Sequence, residues 1–164
     1  MRDAKVRTVI VADSPFMLKI LAQTLEKVGW FNLVGSATDV YQALRHVSAF
    51  SPELVLMDVH MPGLIGIQAT RFMKRSEHPP VVILFSAHNN SVTKSLAELA
   101  GADGFVSKGA SFRHRLIGVL ENLFGPSGGR RATSSSVRFR ASLAGRPKRS
   151  TAYEHLKARV QSET

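Results

Sequence analysis

The chain predicts a doubly wound α/β domain, a (βα)5 parallel sheet, on three observations. Apolar runs of strand length alternate with segments whose apolar residues recur at three and four. The third and fourth runs, Leu54 to Met57 and Val81 to Phe85, are near-continuous in apolar residues, as strands buried on both faces require. Four of the runs end on one polar residue each: Asp13, Asp58, Ser86 and Lys108.

The first strand is read at Val9-Ile10-Val11-Ala12. Ser14 as N-cap, Pro15 at the first helical position and Gly29 past the end bound the first helix, with Phe16, Ile20, Leu21, Leu25 and Val28 on one predicted face. A short strand near Asn32 to Ala37 follows, then a helix capped by Asp39 from about Val40 to Val47, closed by Pro52. After the third strand, a loop with Met61-Pro62-Gly63 leads into a helix near Ile65 to Lys74. Pro79-Pro80 imposes an extended entry to the fourth strand. A helix over Ser91 to Ala100 stops at Gly101, and Asp103-Gly104 turns the chain into a short fifth strand. Ser111 caps the last helix, whose stripe is Phe112, Leu116, Val119, Leu120 and Leu123.

Strands alternating with helices imply right-handed crossovers and a parallel sheet covered on both faces. The expected strand order is the flavodoxin-like 2-1-3-4-5, in which ligands bind beyond the carboxyl ends of the first and third strands. Those strands end at Asp13 and Asp58.

Composition bounds the rest. The 164 residues suit one domain with some chain left over, and 44% apolar against 21% charged residues is ordinary for a globular protein. No stretch approaches the roughly 18 uncharged residues of a spanning helix, and neither a membrane span nor a secretory signal is read. The absence of cysteine removes disulfides, thiolate metal sites and cysteine nucleophiles, and agrees with a cytoplasmic address.

The formal charge of +10 is uneven. Residues 1 to 124 carry 13 Lys and Arg against 10 Asp and Glu, whereas residues 125 to 164 carry 9 against 2. The expected division is therefore a domain over 1–124 and a flexible basic tail over 125–164, with a short helix near 150–160 that is marginal on its own. Arg130, Arg131, Arg146, Lys148 and Arg149 are candidates for weak electrostatic contact with nucleic-acid phosphates. The tail has neither a helix-turn-helix pattern nor an aromatic platform, so a solubilising or partner-docking role stands beside that reading.

Asp58 is the candidate nucleophile, since a carboxylate can accept a phosphoryl group as an acyl phosphate. At about 4 Å, two like charges repel by on the order of 4 kcal/mol at an effective dielectric near 20, so compensating cations are required. A divalent ion held by carboxylates supplies one and Lys108 another, while Ser86 is suited to hydrogen-bond a phosphoryl oxygen. The six histidines show no paired spacing for a metal: His46, His78, His114 and His155 read as surface residues. His60 and His88 fall near the proposed site.

Taken with Ala12-Asp13-Ser14-Pro15, Asp58 followed by Met61-Pro62-Gly63, Ser86-Ala87, and Gly101-Ala102-Asp103-Gly104-Phe105-Val106-Ser107-Lys108, the chain over roughly residues 5 to 124 resembles the receiver domain of two-component response regulators. The resemblance implies a stand-alone phosphoacceptor that takes a phosphoryl group on Asp58 from a histidine kinase or phosphotransfer protein. It implies Mg2+ at Asp13, Asp58 and the backbone carbonyl of His60, with Ser86 and Lys108 contacting the phosphoryl group. It also implies a switch in which Ser86 moves and Phe105 rotates, altering the face of the fourth helix, fifth strand and fifth helix toward a downstream protein. Such a module is not an enzyme beyond its own phosphoryl transfer and dephosphorylation.

Two departures qualify the resemblance. Ala12 stands where the family usually has a second acid, which weakens Mg2+ binding and favours an alternative, a degenerate receiver that binds partners without phosphorylation. Gly109 replaces a common proline. A phosphate-ester hydrolase would want an acid two residues after Asp58, where His60 stands, and a flavin carrier would want a Gly-rich phosphate cradle after Asp13.

Overall fold

A computed structural model of the chain describes residues 4–61 and 66–126. The strands are β1 Val6–Val11, β2 Phe31–Ala37, β3 Leu54–Asp58, β4 Val81–Ser86 and β5 Gly104–Ser107. Helices α1 Pro15–Val28, α2 Val40–Phe50, α3 Gly66–Met73, α4 Ser91–Leu99 and α5 Phe112–Phe124 alternate with them. All five strands are parallel, in the expected order β2-β1-β3-β4-β5.

Alternation of side chains along each strand splits the core in two. Val9, Val11, Val55, Met57, Val82 and Leu84 pack against Ala43 and Leu44 of α2, Ile67 and Met73 of α3, and Ala97 of α4. Ile10, Leu54, Leu56, Ile83, Phe85 and Val106 face the other way, onto Leu21 and Leu25 of α1 and Leu116, Leu120 and Phe124 of α5. Burial on both faces is why β3 and β4 are apolar almost throughout: all of β3 is buried, and Val81 alone in β4 is partly exposed. On edge strand β2, by contrast, Asn32, Leu33 and Ser36 are exposed.

The helix ends depart from expectation in places. Asp39 does cap α2, its side chain accepting the Gln42 N–H at 2.8 Å, and α2 continues to Phe50 before Ser51 turns into the left-handed region. Ser14 and Ser111 occupy N-cap positions without a side-chain capping bond. Phe16 is not on the buried face of α1. It lies five residues before Leu21, which at 100° per residue turns it about 140° away from that side chain, and it is 71% exposed. His46, expected at the surface, is half-buried against Phe50 of its own helix.

The Pro62-Gly63 loop, the basic residues Arg130, Arg131, Arg146, Lys148 and Arg149, and the helix expected near 150–160 lie outside the described residues. Among the described residues no helix is long and apolar enough to cross a membrane.

Candidate functional site

Parallel pairing brings the polar strand ends to one edge. Val11 pairs with Met57, so Asp13 and Asp58 leave the sheet side by side from β1 and β3. Asp58 pairs with Phe85 and Ser86 with Ser107, which sets Ser86 and Lys108 on the same edge, and the Lys108 N–H donates to the Ser86 carbonyl at 2.7 Å.

Asp58 is 1% exposed, and a buried carboxylate needs compensation. The Lys108 ammonium forms an ion pair with its Oδ2, and the His60 amide donates to its Oδ1 at 3.0 Å. The Phe85 ring lies under the ammonium, 5.4 Å from Nζ to the ring centroid. The Lys108 side chain keeps a quarter of its surface in solvent, so the pair lies at the floor of an open edge.

Ser86 is fully buried. Its Oγ accepts the His88 amide at 3.0 Å and lies 3.3 Å from Nδ1 of His60. The rings of His60 and His88, both exposed residues, pack with centroids 4.7 Å apart. Asp13 is exposed, and among the described residues its carboxylate has no hydrogen-bond or ion-pair partner.

Gly66 fixes the approach of α3 to this edge. Its N–H donates to the Val59 carbonyl at 2.8 Å, and a Cβ there would fall 2.2 Å from the Asp58 carbonyl oxygen. Chemically, the site is an enclosed carboxylate flanked by an ammonium, a hydroxyl and a second carboxylate, a set suited to charge-rich transfer on an oxyanion.

A family model described as the response regulator receiver domain matches residues 8–119. The chain belongs to this family.

The "Probable transcriptional regulatory protein NarL" of Mycobacterium tuberculosis is 33% identical over 117 residues, covering 71% of this chain and 54% of the relative. A protein-glutamate methylesterase/protein-glutamine glutaminase of Oceanobacillus iheyensis is 36% identical over 106 residues, covering 63% of this chain and 30% of the relative. Among solved structures, the signal receiver domain of NarL from M. tuberculosis superposes with a TM-score of 0.64 at 31% identity, covering 70% of this chain and 94% of that one. The response regulator domain of Thermotoga maritima CheB gives 0.64 at 28% identity, covering 73% and 93%. The chain thus spans about half, or under a third, of the curated relatives it matches.

Receiver domains are signalling modules of two-component systems and bind Mg2+ at an acidic pocket. In this receiver domain, no group of three His, Asp or Glu side chains gathers as metal ligands among the described residues. The donors present, the Asp13 and Asp58 carboxylates, are hard oxygens. They match an ion that takes one or two carboxylates and retains water.

Structure therefore brings Asp13, Asp58, Ser86 and Lys108 to one edge, with the His60 backbone beside Asp58. Phe105 stands apart from them: half-buried on β5, it lines a cavity of about 330 Å³ with Ala97, Ala102, Val119 and Leu123. Two participants, Phe85 and Gly66, escape sequence reasoning. Phe85 carries no sign beyond its place in an apolar strand. His60 is expected near the site, but its side-chain contact with Ser86 emerges only once β3 and β4 are paired. Gly66 leaves a faint sign, a glycine at a helix start between two isoleucines.

Proposed function

We propose that this receiver domain accepts a phosphoryl group on Asp58 from a histidine kinase or phosphotransfer protein and thereby changes which downstream protein it binds. The observation that carries the reading is the enclosed Asp58 carboxylate paired with Lys108, with Ser86 and Asp13 on the same edge. In the transfer, an Asp58 carboxylate oxygen forms the new P–O bond as the P–N bond of the donor phosphohistidine breaks. The donor nitrogen keeps the electron pair and takes up a proton. In hydrolysis, water supplies the oxygen of inorganic phosphate and Asp58 departs as carboxylate.

Asp13, Asp58 and the His60 carbonyl would hold Mg2+, which when bound offsets the negative charge of the incoming group. Lys108 neutralises a phosphoryl oxygen once its own carboxylate partner is esterified. Ser86 donates its hydroxyl to another. Phe105 lines a cavity formed by α4, β5 and α5, which supports that face as the surface read by the downstream partner.

Residues 1–124 form the signalling unit in this reading and 125–164 the basic tail, and the unit works in the cytoplasm. It acts as a switch rather than an enzyme, catalysing only its own phosphorylation and dephosphorylation.

Intact-mass measurement after incubation with a small phosphodonor and Mg2+ tests the reading. One phosphoryl adduct, absent in Asp58→Asn, is expected; no adduct under conditions that label an ordinary receiver domain refutes it. Ala12 favours a second reading, a degenerate receiver that binds partners without phosphorylation, and the same null result would select it. Weak tail contact with nucleic acid predicts salt-dependent binding that vanishes on truncation at Phe124; equal binding by both chains removes it.

A further inference from the structure

Ser86 carries one hydroxyl hydrogen and two lone pairs. One lone pair accepts the His88 amide at 3.0 Å, and the remaining neighbour of Oγ is Nδ1 of His60, at 3.3 Å. The direction of this contact follows the His60 tautomer: with the ring proton on Nε2, the Ser86 hydroxyl donates to Nδ1. The imidazole is held in turn by its main chain, whose N–H is tied to Asp58 Oδ1, and by the packed His88 ring.

We propose that His60 is a positioning residue that latches the Ser86 hydroxyl in the resting state, withholding it from the group arriving on Asp58. The proposal rests on the reading of Asp58 as phosphoacceptor and adds a threshold to it. Ser86 has a single proton to donate. Stabilising a phosphoryl oxygen therefore requires that the hydroxyl rotate away from Nδ1, exchanging an O–H···N bond for an O–H···O⁻ bond with no covalent change. The bond given up subtracts from the stabilisation gained in transfer. A hydrogen bond of ordinary net strength sets the effect at about two- to tenfold in rate.

The test uses the full chain with Mg2+ and acetyl phosphate. Asp58 takes the phosphoryl group, the P–O bond to the acetyl oxygen breaks, and acetate leaves with the electron pair. Phosphorylation rates are read by intact mass. His60→Ala is expected to gain about two- to tenfold. His60→Asn, whose carboxamide oxygen can take the place of Nδ1, restores the slower rate. In a Ser86→Ala background, His60→Ala changes nothing, because there is no hydroxyl to release. An equal gain in that background, or no gain from His60→Ala, overturns the latch while leaving Asp58 as acceptor.

Long-range ¹H–¹⁵N spectra of the resting chain test the latch without any phosphorylation. The expected result is an Nε2–H tautomer at His60 whose Nδ1 resonance moves in Ser86→Ala. An Nδ1–H tautomer, or an Nδ1 signal indifferent to Ser86, overturns the proposal even if no phosphodonor labels the chain.

Discussion

Asp58 and Lys108, fifty positions apart in the chain, meet in an ion pair whose carboxylate is shut away from solvent and whose ammonium is not. That asymmetry makes the two partners unequal under mutation. Lys108→Ala leaves a buried carboxylate without its counter-charge and is expected to cost about 3 kcal/mol. Asp58→Asn removes the buried charge and leaves an ammonium able to hydrate, so its cost is expected to be less than half as large. Urea unfolding midpoints of the two variants check the order.

Gly66 is set by contact rather than by backbone angle. A Cβ 2.2 Å from the Asp58 carbonyl oxygen cannot be accommodated without moving α3 off the end of β3. Gly66→Ala is expected to destabilise the domain by roughly 2 kcal/mol and to slow Asp58 phosphorylation at temperatures where the variant remains folded. Parallel denaturation and phosphodonor assays measure both effects.

At the opposite edge of the sheet, Lys74 forms an ion pair with Asp103 and donates to the Pro80 carbonyl at 2.7 Å, while Asp103 accepts the Val82 N–H at 2.7 Å. This staple joins α3 to the starts of β4 and β5. Asp103→Ala leaves the Val82 N–H without its acceptor and the half-buried Lys74 ammonium with the Pro80 carbonyl but no counter-charge, and should lower stability by about 2 kcal/mol. The phosphorylation rate of the folded variant stays at the native value. A drop in rate without a drop in stability would contradict a purely structural staple.

Ala12 is fully buried between β1 and the site edge. Ala12→Asp adds a carboxylate beside Asp58, with two opposed consequences. In metal-free buffer, repulsion and desolvation lower the melting temperature. Added Mg2+ then raises it by more than it raises that of the native chain, since a third carboxylate strengthens the ion's preference for the folded state. Melting curves across a Mg2+ titration give the comparison.

Much of this molecule is legible in its sequence because the signals are local. Each strand is an apolar run with a marked end, and in a parallel sheet those ends gather at one edge, so Asp13, Asp58, Ser86 and Lys108 are found without coordinates. The contacts that were not legible are tertiary. His60 meets Ser86 across 26 positions and Lys74 meets Asp103 across 29, each through side-chain geometry that no periodicity encodes. Phe16 shows the limit of reading a helical face by eye. Its spacing of four from Ile20 looks regular, yet the face that reaches the core is centred on Leu21, Thr24 and Leu25.

The identity of the acceptor decides the account. After treatment with acetyl phosphate and Mg2+, borohydride reduces an aspartyl phosphate to homoserine, and peptide mapping places the converted residue. Homoserine at position 58, lost when Mg2+ is chelated, is the predicted result. Homoserine elsewhere, or an unreduced Asp58 in a chain that otherwise carries phosphate, would contradict it.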